Sequence, residues 1–310
     1  MGGNILEQRK ITNGTQNIMS KVDAEYKRMY RQILSEGVWK ENRTGVKTIA
    51  TTGLTFTHFM EDGFPALTTK KLFYKAVKVE LEGFIKGITS KKWFQDRGCR
   101  IWNEWCNPQK VPYSTDPEVQ KQMAEEDDLG PCIYGAAWRN FHDPSACYPE
   151  ADSYGIDQLK NIVETLKTNP NDRRMICMAW NPAGLNHTAL PPCHFCWQVV
   201  VVGDRLDLIF SMRSNDFLLG LPFNIASYAT LLHLLCLETS LKPGKLTGNF
   251  GDIHIYENHL EPLKEQMSRS MFCAPKIKTN NFTSIFDWEA SQTGLVDYKS
   301  HPPIKAKVAV

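Results

Sequence analysis

Two apolar stretches separated by a tight turn constrain the fold more than any other feature of this sequence. Residues 199–202 are all valine and residues 206–212 are mostly apolar, with Gly203 and Asp204 between them. Gly-Asp has the composition of a hairpin turn, so the stretches predict two adjacent strands of a core sheet. After Pro222, a helix is predicted over 225–239. It is apolar on most faces, which indicates burial.

Helical spacing of apolar residues predicts two more helices, and a strand is predicted over 48–59. The first helix, which Gly37 ends, is marked by Tyr26, Met29, Tyr30, Ile33 and Leu34. The buried face of the second, which Gly87 ends, is marked by Phe73, Val77, Leu81 and Phe84. Strands and long helices without repeats or regular βαβ alternation predict the α+β class.

The length of 310 residues suits a single large domain. Residues 1–20 are polar and unpatterned, which predicts a flexible leader before a catalytic domain over 21–310. Residues 107–128 are polar, acidic and contain proline, so we interpret them as a surface excursion within that domain.

Charge and cysteine content exclude several classes of function. The 36 basic and 34 acidic side chains nearly cancel, so charge alone would hold neither a nucleic acid nor an anionic membrane. The longest apolar runs, 199–202 and 231–237, are shorter than the ~20 residues that span a bilayer. Nine cysteines, an odd number, are typical of reduced thiols and predict a cytoplasmic location.

Glu80 lies within the apolar stripe of the second predicted helix. Burial of a carboxylate raises its pKa unless the group is paired, so Glu80 is a candidate acid or base. A buried salt bridge is the alternative reading.

Cys193 follows two prolines, which hold the chain extended and leave the thiol free to face a cleft. A structural thiol is the alternative. Cys193 and Cys196 form a CxxC pair, which could be half a metal site or a redox pair, but no second CxxC exists. No metal is therefore expected.

Further polar residues could bind an anion or a sugar. Guanidinium groups suit phosphate, and four arginines lie beside turn-forming or small polar residues: Arg43, Arg173, Arg174 and Arg213. A short strand over 251–256 would put Asp252, His254 and Tyr256 on one face. Surface roles for the arginines and a core network for the strand are the alternatives.

Together these motifs resemble the thymidylate synthases and their hydroxymethylase relatives from about Tyr26 to the last residue. The matching segments occur in the family's order: 42–45, 101–105, 134–139, 173–174, 192–198, 213–216, 219–224, 251–256 and 304–310. The resemblance implies a mixed sheet packed with helices and a homodimer formed through the sheet. It also implies folate-dependent transfer of one carbon to C5 of deoxyuridine monophosphate (dUMP), with 5,10-methylenetetrahydrofolate as cosubstrate and no metal.

The resemblance also implies the role of each nucleotide-binding residue. Cys193 would add to C6 of the pyrimidine, and Asn224 would pair with its edge and select uracil over cytosine. The phosphate would be bound by Arg43, Arg213 and Ser214, with Arg173 and Arg174 from the partner subunit. Gln198 is a further substrate-binding candidate. His254 and Tyr256 would bind the deoxyribose 3′-hydroxyl. Arg213 would also favour the Cys193 thiolate.

Catalytic and folate-covering residues follow from the same resemblance. Glu80, Tyr134 and His194 would order the water that moves protons, and Asp216 would serve catalysis and both ligands. Besides Asp216, the residues that would cover the folate are Ile101, Trp102, Trp105, Leu190, Leu219, Phe223 and Val310.

The product is where this chain departs from the family pattern. Synthases usually have a tryptophan where this chain has Gly83, and the loss of the indole would open room for water beside the reacting carbon. Glu82, and Met212 before Arg213, resemble the viral deoxycytidylate hydroxymethylase. These departures predict a deoxyuridylate hydroxymethylase of viral source, releasing 5-hydroxymethyl-dUMP in the host cytoplasm. Thymidylate synthase is the alternative, and a non-catalytic nucleotide- or RNA-binding regulator a remote one.

Overall fold

The computed structural model describes residues 20–104, 116–118, 121, 125, 128–142 and 155–308. Trp105, Val310, most of the excursion predicted over 107–128 and the leader up to residue 19 lie outside the described residues. Ser20, which the prediction assigned to the leader, is buried. Its side chain accepts the Asp23 backbone N–H (3.3 Å) and so caps the first helix.

Helices and strands alternate irregularly along the described chain. The helices are α1 (Lys21–Glu36), α2 (Tyr74–Lys86), α3 (Lys91–Asp96), α4 (Tyr134–Arg139), α5 (Gln158–Thr168), α6 (Gly220–Thr239) and α7 (Leu260–Ser268). The strands are β1 (Val38–Lys40), β2 (Thr48–Phe59), β3 (Ile176–Met178), β4 (His194–Val202), β5 (Arg205–Met212), β6 (Asn215–Asp216), β7 (Lys242–Tyr256), β8 (Lys276–Thr279) and β9 (Thr293–Val296).

Seven of these strands form one mixed sheet. Its order is β1-β2-β7-β5-β4-β3, with β6 also paired to β7. The β5–β7 and β6–β7 pairs are parallel and the other pairs are antiparallel. Strands β8 and β9 form a separate antiparallel pair. The predicted α+β class with a mixed sheet is therefore confirmed.

The predicted hairpin is present, and its strands are longer than the two apolar stretches. Strands β4 and β5 meet with Val202 opposite Arg205, and Gly203 has a φ of 66°, which glycine adopts without strain. The strand predicted over 251–256 was too short, because it is the end of the 15-residue β7.

Helix α6 is the centre of the core. It is buried on nearly all sides, as its composition predicts, and begins at Gly220, five residues before the predicted start. Pro222 lies in its first turn, where a missing N–H removes no helical hydrogen bond. Among the described helices, α6 alone has the length and composition of a membrane span, but most of it is buried inside the protein, as in a core helix.

Two residues predicted to mark buried helix faces are exposed. Phe73 is 55% exposed because it is the N-cap of α2 and lies before the first helical residue, so the helical spacing of buried residues does not extend to it. Leu34 is 39% exposed near the end of α1, at the edge of that helix's apolar stripe. Val77, Leu81 and Phe84 are buried as predicted.

Candidate active site

The thiol of Cys193 lies where the chain enters the central sheet. Pro191 and Pro192 precede it, and β4 begins at the next residue. The β4–β5 register shifts between His194 and Cys196, so a bulge re-aims the strand beside the thiol. The Cys193 backbone N–H donates to the Tyr134 hydroxyl (2.7 Å), and its side chain is partly exposed. The Cys193 side chain is therefore not enclosed in the core; that its thiol faces a ligand cleft stays a prediction.

Arg213 is the cationic neighbour of this thiol. Its Nη2 lies 3.7 Å from Cys193 Sγ, and the same guanidinium donates to the Pro191 carbonyl (2.7 Å) and the Pro192 carbonyl (2.9 Å). Burial raises the pKa of Cys193 above its ordinary value, while Arg213, Tyr134 and Arg43 lower it by smaller amounts. The expected influence of Arg213 is present, but desolvation outweighs it.

Tyr134 and His194 form a stacked pair beside the thiol. Their ring centroids are 3.9 Å apart with an interplanar angle of 8°, and the His194 Nδ1 is hydrogen-bonded to the Tyr228 hydroxyl (2.7 Å). Burial lowers the pKa of His194 to about 3, so the imidazole is neutral at pH 7. Tyr228 was not predicted as a site residue, because in the sequence it is one of many residues in a mainly apolar helix.

Glu80 is the carboxylate of this group. Burial raises its pKa to about 8, and the smaller, opposite influence is that of the Trp102 indole. That indole N–H has no geometrically formed hydrogen bond among the described residues. The salt bridge considered as an alternative is not among the ion pairs of the described residues. Glu80 is therefore set up to hold a proton at neutral pH.

The end of β7 brings polar side chains to the same region. The Asp252 Oδ1 and His254 Nδ1 are 2.6 Å apart, and Lys40 also pairs with Asp252. Burial raises the pKa of Asp252, but these two partners outweigh it and leave the pKa below its usual value. The His254 and Tyr256 rings are in edge contact at 5.1 Å, so the predicted polar face is present. The positive charge of Arg43 lowers the pKa of both Tyr256 and Cys193, although burial outweighs it in each case, so Arg43 lies within electrostatic range of both.

Asn224 and Asp216 lie at the start of α6. The Asp216 Oδ1 accepts the backbone N–H groups of Leu218 (2.9 Å) and Leu219 (3.0 Å), which fixes the entry to the helix. The Asn224 Oδ1 accepts from Asn215 Nδ2 at 3.1 Å. Asn215 was not predicted as a site residue, because only the packing of β6 against α6 in the folded chain brings it to Asn224.

His259 connects Asp216 with the last described residues. Its Nε2 bonds the Lys307 carbonyl oxygen (2.8 Å), and its Nδ1 lies 3.7 Å from Asp216 Oδ1. Burial lowers the pKa of His259, but Asp216 and the Lys307 carbonyl outweigh it and leave the pKa above its usual value. No sequence pattern distinguished this histidine.

Several residues expected to cover a folate are apolar and partly buried against the core, namely Ile101, Leu190, Leu219 and Phe223. Trp102 is buried and lies beside Tyr134. Partly exposed apolar side chains of this kind suit a flat, aromatic ligand. Among the described residues, no three His, Cys, Asp or Glu side chains form a group that could hold a metal ion.

Three predicted residues lie away from this group. Gln198 is five residues along β4 from Cys193, and its amide donates to the Arg173 carbonyl (3.2 Å). Arg173 and Arg174 precede the edge strand β3 and are exposed, with Arg174 paired to Asp172 (2.6 Å). That these two arginines bind the phosphate in the active site of a second subunit stays a prediction. Ser214, next to Arg213, is partly buried between β5 and β6.

The unusual residues of α2 have structural contacts. A Cβ built on Gly83 would lie 2.3 Å and 2.4 Å from two ring atoms of Phe94, so the expected room for water is filled by a ring from α3. Glu82 is buried, bonds Lys86 (2.7 Å) and accepts the Ala290 backbone N–H (3.0 Å). The expectation that Gly83 opens room for water beside the reacting carbon was wrong.

Comparisons with known proteins agree with this geometry. The thymidylate synthase family model matches residues 24–310. The chain is 41% identical over 301 residues to a thymidylate synthase of Mycoplasma genitalium, an alignment that covers 92% of this chain and 99% of the relative. This relative gives no support to the expected viral source. The chain belongs to the thymidylate synthase family.

Proposed function

We propose that this chain is a thymidylate synthase, which converts dUMP and 5,10-methylenetetrahydrofolate to thymidine monophosphate (dTMP) and dihydrofolate. The observation that carries the proposal is the 41% identity to a thymidylate synthase across nearly the whole of both chains. It favours the methyl product, which the sequence offered as the alternative to the hydroxymethyl product.

In the proposed reaction Cys193 is the nucleophile. Its Sγ forms a bond to C6 of the pyrimidine, and the C5–C6 π electrons move towards C5 and O4, which makes C5 nucleophilic. Arg213, 3.7 Å from the sulfur, stabilises the thiolate that must form against the opposing influence of burial. The Tyr134 hydroxyl holds the Cys193 backbone, so the sulfur is directed into the cleft.

The polar groups around the thiol fit the remaining parts of dUMP. Arg43, Arg213 and Ser214 are assigned to the phosphate, and His254 and Tyr256 to the deoxyribose hydroxyl. These residues converge from separate elements on the region of Cys193, which is the arrangement that a nucleotide requires.

The exposed Arg173 and Arg174 are assigned to the phosphate of the partner subunit. The proposed active unit is thus a homodimer. A cytoplasmic location stays a prediction from the cysteine content.

The folate would supply the one-carbon unit and the hydride when it is bound. Leu190, Leu219 and Phe223 would contact its rings, and Asp216 is the nearby carboxylate. Glu80, whose pKa burial raises to about 8, keeps a proton available near the cleft at pH 7. His194 stays neutral and hydrogen-bonded to Tyr228, so it orients water rather than donating a proton.

Exclusion of water supports the methyl product. An exposed exocyclic methylene on C5 would be hydrated, and a sheltered one is reduced. Phe94 fills the space beside Gly83, and the Glu82 carboxylate is held by Lys86 and Ala290. Gly83 therefore does not provide the room for water on which the hydroxymethylase reading depended.

The test is to incubate the full chain with dUMP and methylenetetrahydrofolate and to identify the nucleotide by mass spectrometry. We expect dTMP together with the absorbance of dihydrofolate. Release of 5-hydroxymethyl-dUMP with tetrahydrofolate would refute the methyl product but would still show one-carbon transfer to C5. Full retention of tritium at C5 would remove the enzyme reading altogether.

A further inference from the structure

The amide of Asn224 is held by a buried neighbour. Asn215 is 2% exposed, and its Nδ2 donates both to Asn224 Oδ1 (3.1 Å) and to Met212 Sδ (3.2 Å). The Asn215 Oδ1 is buried without a hydrogen-bond partner among the described residues. Both polar contacts of this side chain are therefore made through its nitrogen.

Met212 determines which way the Asn215 amide points. A thioether sulfur accepts hydrogen bonds and has no proton to donate. If the Asn215 amide were reversed, its oxygen would face both the Met212 sulfur and the Asn224 oxygen, neither of which has a proton to donate. The observed orientation keeps two hydrogen bonds, and the reversed one keeps neither with the present neighbours.

Asn215 in turn determines which way the Asn224 amide points. Asn224 presents its oxygen to the Asn215 N–H group. Reversal of the Asn224 amide would bring two NH₂ groups together, which removes a hydrogen bond and opposes like partial charges. The three side chains thus form a directional relay from Met212 through Asn215 to Asn224.

The orientation of an amide decides which pyrimidine it pairs with. Uracil offers a donor at N3 and an acceptor at O4, whereas cytosine offers an acceptor at N3 and a donor at N4. An asparagine could pair with either base, in opposite orientations, so an unrestrained amide would discriminate weakly.

We propose that Met212 and Asn215 are specificity-determining residues that hold Asn224 in the orientation that pairs with uracil and so reject deoxycytidine monophosphate (dCMP). The proposal rests on dUMP being the substrate, because that assigns the held orientation to uracil. Both residues are positioning residues, since they act through Asn224.

The test measures affinities for dUMP and dCMP by isothermal titration calorimetry, using the full chain and two variants. Asn215→Leu removes the donor, and Met212→Leu keeps an apolar side chain of similar volume but removes the acceptor. We expect the ratio of dUMP to dCMP affinity to fall about tenfold in Asn215→Leu, the effect of one hydrogen bond and its mismatch. A smaller fall is expected in Met212→Leu. Asn224→Asp, which offers an acid to cytosine, is the positive control.

Circular dichroism would establish that each variant is folded. If Asn215→Leu does not fold, Met212→Leu alone provides the test. An unchanged ratio in a folded variant overturns the relay. A ratio that rises shows that the held orientation pairs with cytosine and overturns the assignment. If the unaltered chain binds neither nucleotide, the proposed function fails and the relay proposal fails with it. If the unaltered chain binds dUMP but the variants keep its ratio of dUMP to dCMP affinity, the relay proposal fails and the proposed function stands.

Discussion

A methyl group at position 83 tests how closely α2 and α3 pack. In Gly83→Ala the new Cβ would lie 2.3 Å and 2.4 Å from ring atoms of Phe94 and 3.3 Å from Trp93. Phe94 is fully buried, so its ring must displace other core atoms to make room. Such overpacking costs about 1–3 kcal/mol, and the better helix propensity of alanine offsets about 1 kcal/mol. We therefore expect the free energy of unfolding to fall by roughly 1 kcal/mol.

The sign should reverse when the ring is absent. Phe94→Ala alone should cost about 3–5 kcal/mol, the usual range for a buried phenylalanine. In that background the methyl group of Gly83→Ala no longer meets the Phe94 ring, and its tightest remaining neighbour is the Trp93 indole at 3.3 Å. The propensity gain of up to about 1 kcal/mol should then dominate. The two substitutions should thus couple by roughly 2 kcal/mol.

Urea denaturation of the four chains, at one protein concentration, measures this coupling from the midpoints and slopes. A stabilising Gly83→Ala in the unaltered chain would show that the space is open, as the sequence first suggested. Equal effects in both backgrounds would show that Phe94 does not fill it. Either result would weaken the argument for a sheltered reaction.

Cys193→Ala should abolish release of tritium from C5 of dUMP, while Cys196→Ala, three residues further along in β4, should retain it. Glu80 has a pKa raised to about 8, so between its ordinary pKa and pH 8 the folded chain keeps a proton that the unfolded chain loses. The free energy of unfolding should then fall as pH rises, by at most ~1.4 kcal/mol per pH unit, and Glu80→Gln should flatten this slope. His259 also has a raised pKa, so its stabilisation through Asp216 is present below its ordinary pKa and lost as pH rises through the folded value. A pH titration of His259→Gln that matches the unaltered chain would contradict this.

Local patterns predicted the elements well where they depend on neighbours in sequence. The hairpin follows from the apolar stretches and Gly203, and α6 from its continuous apolar composition. Boundaries were less predictable, because Phe73 fits the apolar spacing of α2 but precedes its first turn. The Cys193 thiol could be located from its prolines. The balance between burial and Arg213 that sets its pKa depends on the packed structure.

Contacts between distant segments could not be read from the sequence. The consequence of Gly83 depends on Phe94, which belongs to another helix. Glu82 departs from the usual family pattern, but its partners include the backbone of Ala290, more than two hundred residues away. Asn215 gave no signal because its importance comes from the side chain of Asn224 on the adjacent helix.

The residues that depart from the usual family pattern therefore fall into two groups, according to the residues that they contact. Glu82 and Gly83 contact a loop and a neighbouring helix, so they bear on packing rather than on the fate of C5. Met212 accepts a hydrogen bond from Asn215, which in turn donates to the Asn224 amide assigned to the pyrimidine edge. If unusual residues act through their contacts, Met212 bears, through Asn215, on the proposed orientation of the Asn224 amide, whereas Glu82 and Gly83 bear on the packing of α2. Measurements of base preference, more than of product, should then expose what is particular to this chain.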